Sequence, residues 1–345
     1  MAQSLVSERG AGYAYAAAAE GCQILNRVAV SMLNFNSSQS TIACIQSLLV
    51  AAKSASETCH LEVFISDNGS NAEDQRQLQQ AMVEMPIVHL RINDKNLGFS
   101  AGHNRNLATI LSGFNADFIW ILNNDCLITE TALSALVMCA RNSPEVGIWG
   151  ATLLESDGQT IQCAGGCFYN TWISSYRQYG HGKHVSQLGQ LKPVEYDYIA
   201  GASLFFPILT LQKGLWLPSG ADADQSTGQQ QWLNEKFFLY FEELDLAKRL
   251  KTGIGMAWCQ GALIKHVGGS STGTSNNQRT ELAEYHATLS ALKFTRLYYP
   301  RRLWLMAPSR FFFKFLVLLV RGDIRLIGMM TKAYRDFWTG KAVSY

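Results

Sequence analysis

Four groups of polar side chains have residue types and spacing suited to chemistry. Asn123-Asn124-Asp125 follows the apolar run Phe118–Leu122, so Asp125 should stand where a strand leaves its sheet. A carboxylate there can hold a hard divalent cation, manganese or magnesium, and that cation can bridge diphosphate oxygens. The same residues also suit a turn closed by Asx side chains, with a helix N-cap at Thr129. Glu242-Glu243-Leu244-Asp245 opens a predicted helix whose apolar side continues through Leu246 and Leu250. Glu242 and Asp245 share one face and Glu243 projects differently. One of these carboxylates can act as a general base for a hydroxyl. As helix-end charges they would instead favour the dipole, with Asp245 pairing to Arg249 one turn on. His266 ends the apolar residues 262–264 and precedes Val267-Gly268-Gly269-Ser270. Imidazole suits a borderline cation such as manganese, although an isolated histidine can also be structural.

The fourth group, Gly98-Phe99-Ser100-Ala101-Gly102-His103-Asn104, opens a helix directly after a strand. Small residues such as Gly98 and Gly102 let backbone N–H groups approach a ligand, and a helix N-terminus favours anions. No Lys-Ser or Lys-Thr closes this segment, and no Gly-x-Gly-x-x-Gly follows a strand; Gly10-Ala11-Gly12 precedes the first strand. P-loop NTPases and ordinary dinucleotide dehydrogenases are therefore disfavoured.

These residues need elements to hold them. Residues 28–33 read as a strand stopping at Asn34-Phe35-Asn36-Ser37, and Ile42, Ile45, Leu48 and Leu49 recur at helical spacing after it. Residues 61–66 read as a second strand ending in Asp67-Asn68-Gly69-Ser70. Val88–Ile92 is a third, ending in Asn93-Asp94-Lys95-Asn96. A helix from about Ser100 to Leu111 and the strand Phe118–Leu122 complete the alternation. Strands alternating with helices predict a mostly parallel, Rossmann-like α/β sheet, with ligands at the carboxyl ends of its strands. Each of those ends carries Asn, Asp or Gly, the polar edge a nucleotide requires. From Gly150 the chain is rich in glycine loops, including Gly165, Gly166, Gly180, Gly182, Gly201 and residues 220–228. Residues 232–250 form an aromatic approach into a helix, and 268–277 are polar and flexible.

A chain of 345 residues with 48% hydrophobic and 16% charged residues is globular, and a net charge of +2 does not mark a nucleic-acid binder. Eight cysteines at irregular positions fit reduced, buried thiols; Cys163 and Cys167 have no second pair or nearby histidine to complete a zinc site. Residues 1–25, a flexible N-terminal end containing Ala16 to Ala19, lack the pattern of a secretory signal. The most apolar stretch, 311–320, is interrupted by Lys314 and is about half the ~20 residues a bilayer demands. The expected location is cytoplasmic, at the inner face of the cell membrane. Residues 281–345 interleave Arg301, Arg302, Arg310, Lys314, Arg321, Arg325, Lys332 and Arg335 with aromatics. That pattern fits an amphipathic helix in peripheral contact with anionic lipid, or a helix pair packing on the catalytic domain or on another subunit in an oligomer.

From Val28 to Ser270, about seven-tenths of the chain, the order of these motifs resembles the family 2 glycosyltransferases of the GT-A fold, and among them rhamnosyltransferase-type enzymes of bacterial surface polysaccharide synthesis. Further segments carrying the resemblance are Asn96-Leu97-Gly98-Phe99, Gly201-Ala202-Ser203 and Phe237-Phe238-Leu239-Tyr240-Phe241 before the acidic cluster. It implies a catalytic domain over 26–280, with a nucleotide-binding half (26–150), an acceptor half (151–280) and a helical C-terminal region. It implies that Asp67 binds the nucleotide base, with Asn34, Asn96 and Gly98 lining that pocket and Asn124 near the ribose. Asp125 and His266 would hold manganese or magnesium, and Glu243 would be the base, with Glu242 or Asp245 sharing the role. Asn123 stands where the family's Asp-x-Asp motif has its first acid, and Glu243 where Asp is usual. The implied reaction is inversion, moving a sugar such as rhamnose from a nucleotide-diphosphate donor to a glycan or lipid-linked acceptor. Competing readings are a sugar nucleotidyltransferase and a catalytically silent scaffold subunit.

Overall fold

The computed structural model describes residues 25–216, 230–268 and 280–341. The expected flexible end up to residue 24, the glycine-rich 220–228 and most of the polar loop 268–277 lie outside the described residues.

The first half alternates as its periodicity requires. Strands β1 (Asn26–Asn34), β2 (Cys59–Asp67) and β3 (Val88–Ile92) are separated by helices α1 (Ser38–Ser54) and α2 (Ala72–Met82). Helix α3 (Gly98–Gly113) then leads into β4 (Phe118–Leu122). β1 pairs in parallel with both β2 and β4, and β2 with β3. Chain-consecutive β3 and β4 thus lie on opposite sides of the β2–β1 pair, and the switch opens a crevice beyond the carboxyl ends of β1 and β4. Side chains alternate between two cores: Val28, Val30, Met32, Trp120 and Leu122 enter one, while Ala29, Ile119 and Ile121 enter the other. α1 adds Cys44, Ile45 and Leu48 to the first core, the residues whose spacing predicted the helix.

Past β4 the pairing becomes mixed. The chain continues through β5 (Cys126–Ile128), α4 (Ala132–Asn142), β6 (Val146–Leu154), β7 (Ile161–Ala164), β8 (Gly166–Asn170) and β9 (Ser175–Gln178). It then forms β10 (Tyr198–Ile199), β11 (Ser203–Pro207) and α5 (Ile208–Lys213). After α6 (Glu242–Lys248) and β12 (Gly255–His266), three helices follow: α7 (Glu281–Tyr298), α8 (Pro300–Arg321) and α9 (Ile324–Thr339). β11 enters antiparallel between β4 and β6, and β12 runs parallel to β6 before meeting β5 antiparallel. A small second sheet, β10-β8-β9, stands over the crevice side.

Three expectations change. The helix after Asn123-Asn124-Asp125 begins at Ala132, with Thr131 at its N-cap. Thr129 instead donates its hydroxyl to Leu263 O at 2.8 Å and ties β5 to β12. The apolar residues 262–264 belong to the twelve-residue β12, interrupted by an irregularity after Cys259. Residues 311–320 are the second half of the 22-residue α8, which contains an 18-residue stretch of mean hydropathy 1.7 and so is long and apolar enough to cross a bilayer by length and composition. The described cysteines are all free and mostly buried.

Candidate functional site

The strand ends meet through a buried polar network. Asn34 ends β1 in register with Asp67 at the end of β2. Its amide donates to Asp67 Oδ2 and Asp74 Oδ2, each at 2.7 Å, and its carbonyl accepts from Thr41 Oγ1 at 2.7 Å. Asn124 donates to Ser37 Oγ and Thr41 Oγ1, both at 2.8 Å. Asp67 is fully buried and accepts from Ser70 Oγ at 2.6 Å, Ser70 N at 3.0 Å and Gln75 Nε2 at 3.2 Å as well as from Asn34. Its carboxylate braces the turn and is absent from the cavity wall, where the neighbouring Asn68 stands. Gly102 is likewise not on the wall: a Cβ there would lie 2.8 Å from Leu33 Cδ2 and 3.1 Å from the Asn68 amide. It lets α3 pack closely on the strand ends.

Asp125 and His266 come together because β5 closes against the end of β12. The register pairs Cys126 with His266, and Val267 N donates to Asp125 O at 3.0 Å. His266 Nε2 is 3.2 Å from Asp125 Oδ1. Two ligand atoms at adjacent corners of an octahedral cation lie about 3 Å apart, so the pair fits one coordination shell. His266 Nδ1 is 2.7 Å from Gln162 Oε1. With the proton on Nδ1 donated to that oxygen, the Nε2 lone pair is left for a cation, the usual outer support of a metal-binding histidine. Cys126 lies in the same cluster, but its thiol is held far above the ordinary range, chiefly by burial and then by the Asp125 charge. It stays neutral and is a poor ligand for a hard ion. The donor set is one carboxylate and one imidazole, which suits manganese.

The acidic cluster is presented by a strained loop. Tyr240 and Phe241 both have positive φ, +67° and +74°, which side-chain-bearing residues adopt only at a cost. Asn36 and Ser174, the other such residues among those described, also lie at or beside the same cavity. The loop is seated on α3: Phe99 N donates to Phe238 O at 2.7 Å, and a Cβ on Gly98 would lie 2.5 Å from that oxygen. Gly98, at φ +79°, therefore positions the loop as well as lining the cavity.

Glu242 and Glu243 each have one buried carboxylate oxygen without a hydrogen-bond partner. Burial pushes the Glu243 carboxyl up to about 7. Burial, and then the neighbouring Glu243 charge, hold Glu242 well above the usual carboxylate range. Burying a carboxylate with another beside it disfavours the charged form, and Glu243 is the member that ionises near neutrality. Asp245 is different. It is fully buried and accepts from Arg249 Nε at 2.6 Å, Asn234 Nδ2 at 3.0 Å and Tyr298 OH at 2.8 Å. Its oxygens are committed to structure, which removes it from the candidate bases.

One cavity of about 780 Å³ joins these parts at the carboxyl ends of β1 and β4. Asn34, Asn96, Gly98, Asn124, Asp125, Glu242, Glu243 and His266 line it, whereas Asp67, Gly102 and Asp245 do not. Gly201 faces Glu243, with an added Cβ 3.5 Å from its carboxyl carbon. His103 also lines the cavity, but burial drives it down to about 3, so it is a neutral partner of Ser31 Oγ at 2.7 Å. Sequence reading missed Gln162, whose β7 position carries no motif, and the wall built by Ser174 and Tyr176 around the β8–β9 turn. It noticed Arg310 and Lys314 as basic residues only; both line the cavity.

Residues 29–191 match the family model described as Glycosyl transferase family 2. The N-acetylglucosaminyl-diphospho-decaprenol L-rhamnosyltransferase of Mycobacterium tuberculosis (strain ATCC 25618 / H37Rv) is 24% identical over 252 residues, covering 66% of this chain and 72% of that protein. The crystal structure of GalNAc-T7 with UDP, GalNAc and Mn2+ superposes with a TM-score of 0.51 at 11% identity. That match covers 78% of this chain and 48% of the other, so this chain spans about half its length.

Proposed function

We propose that this chain, a glycosyltransferase by the family 2 domain it carries, moves a sugar from a nucleotide-diphosphate donor to the hydroxyl of a lipid-linked or glycan acceptor with inversion. Rhamnose as the sugar and a lipid diphosphate as the acceptor's anchor are supported by the name of the mycobacterial relative. Asn34, Asn68, Asn96, Gly98 and Asn124 bound the nucleotide end of the cavity, with Asp67 bracing Asn34 from behind. Asp125 and His266 are the residues to hold manganese or magnesium. A cation bound there supplies positive charge against the diphosphate as it departs.

The chemistry falls to Glu243. Its carboxylate takes the acceptor proton as the hydroxyl oxygen bonds to the anomeric carbon, and the electron pair of the broken bond leaves with the diphosphate. Glu242, held protonated by burial and by the Glu243 charge, adds no second negative charge beside the reacting centre. No covalent intermediate on the protein is required.

What supports this reading above all is that an acidic pair with unsatisfied buried oxygens and a carboxylate–imidazole pair line the same cavity at the strand ends. The test is a panel of nucleotide sugars assayed for manganese-dependent release of nucleoside diphosphate. Release from one donor, abolished by chelation and restored by manganese, is expected. Formation of a new nucleotide sugar would favour a nucleotidyltransferase instead. Lack of turnover with every donor, together with an unchanged cellular pathway in Glu243→Gln, would favour a scaffold.

A further inference from the structure

Helix α8 separates two environments. Its inner side is fixed to the protein: Leu303, Met306 and Ala307 pack with Tyr285, Leu292, Ala333 and Phe337, and Lys314 Nζ is 2.6 Å from the fully buried Glu284. Its outer side is apolar and open. At 100° per residue, Trp304, Leu305, Phe312, Leu316, Leu319 and Val320 fall on one half of the helix. All are exposed, Trp304 by 74% and Val320 by 87%. A contiguous apolar surface of this kind marks an interaction site rather than ordinary solvent-facing polypeptide.

Two features identify what covers it. The first is charge: Arg301, Arg321, Arg325 and Arg335 are exposed on α8 and α9, whereas the acids there, Asp323 at the N-cap of α9 and Asp336 within it, are half-buried and buried. Arg301 stands on the apolar half of α8 itself, Arg321 at the far end of that helix, and Arg325 and Arg335 on the adjoining α9. Exposed arginines on helices that carry an exposed apolar face match an anionic bilayer surface, where the rings and aliphatics enter the acyl boundary and the guanidinium groups stay among headgroups. The second is continuity with the cavity. Phe313 and Val317 are exposed on α8 and also line the cavity, as do Ile173 from the β8–β9 turn and Tyr176 at the start of β9. That turn is joined to α8 through Arg302, which contacts Thr171 and lies over the Trp172 ring at 4.4 Å, and through Arg310, which donates to Ser174 O. The opening of the cavity is thus rimmed by the same apolar surface.

We infer that α8 lies in the plane of an anionic membrane surface, so that the cavity opens toward the lipid and receives its acceptor from the bilayer. Arg310 and Lys314 line the cavity on the inner side of the helix, where a lipid-linked phosphate would arrive. A spanning orientation is disfavoured because it would pull Lys314 from Glu284 and strip α8 from its packing on α7 and α9. The acceptor part of this inference rests on the glycosyltransferase reading; the membrane part does not.

The experiment is flotation of the full chain with phosphatidylcholine vesicles, with and without phosphatidylglycerol, alongside tryptophan emission. Wild type should float with the anionic vesicles and shift its emission to the blue. Trp304→Glu/Val320→Glu, which alters two exposed positions outside the cavity, should keep its melting temperature and donor hydrolysis but lose about tenfold or more in partitioning. Equal flotation of this variant, or failure of wild type to bind anionic vesicles, overturns the inference. So does a wild-type dimer in sedimentation that the variant abolishes, because the face then belongs to a second copy. Vesicle binding without any nucleotide-sugar turnover would instead overturn the activity and leave membrane docking standing.

Discussion

Glu243 carries the sharpest consequences of burial. A base must be ionised to accept a proton, and a carboxyl raised to about 7 is ionised only above that pH. We therefore expect turnover at low donor concentration to fall about tenfold per pH unit below 7, as read from a kcat/KM profile. The same shift has a sign for stability. The folded state binds this proton more tightly than the unfolded chain, so stability is lost as pH rises from the ordinary value of 4.5 toward about 7. Glu243→Gln should lower kcat by roughly 10²–10⁴-fold with donor binding retained. It should also raise the melting temperature at neutral pH and leave it nearly unchanged at pH 4. A loss of rate without that pH-dependent gain would argue against a buried base. At the other wall, His266→Ala and Asp125→Asn should each weaken manganese binding by at least tenfold, measured by titration of the ion with electron paramagnetic detection. Nucleotide binding in the absence of metal should persist.

The elements owe their precision to contacts that a motif does not spell out. Helix α6 is short, and the direction of Glu242 and Glu243 depends on the positive-φ residues before it and on the seat that α3 provides. Gly98→Ala tests that seat. It adds an atom 2.5 Å from Phe238 O at a φ of +79°, so a loss of about 2 kcal/mol or more in stability is expected from chemical denaturation. The kcat should fall as well, because the displaced loop leads into the proposed base, Glu243. The Asp245–Arg249 pair secures the other end of α6 at 2.6 Å. Arg249→Met would leave a fully buried carboxylate without its cation and should cost about 3–5 kcal/mol. A negligible shift in the midpoint would show that Asn234 and Tyr298 suffice.

Across the whole molecule, the helices after residue 280 are part of the body that holds the cavity. Phe294 of α7 packs in the main core beside Phe237 and Phe241, Ser290 donates to Leu239 O at 2.9 Å, and Tyr298 reaches Asp245. Ending the chain at residue 280 should therefore abolish soluble, active protein. Proteolysis and circular dichroism of the truncated chain would reveal a cooperative remnant if this reading is wrong.

Local order was readable in the chain itself. Apolar runs of strand length, helical spacing at Ile45 and Leu48, and a polar cluster after each strand dictated the α/β alternation and the edge at which a ligand would bind, because these depend on neighbours a few residues apart. The resemblance rested on the order of such motifs from Val28 to Ser270, which the sequence also displays without its fold. The division of labour among acids needed tertiary structure. Helical spacing separates the face of Glu243 from that of Asp245 without saying which acid is free; in the fold Arg249, Asn234 and Tyr298 occupy Asp245, while burial leaves an oxygen of Glu243 unsatisfied. Asp67 likewise became a brace once Asn34, Ser70 and Gln75 closed around it. Desolvation and hydrogen-bond satisfaction are set by atoms distant in sequence, so the role of a carboxylate is decided only when the chain has folded around it.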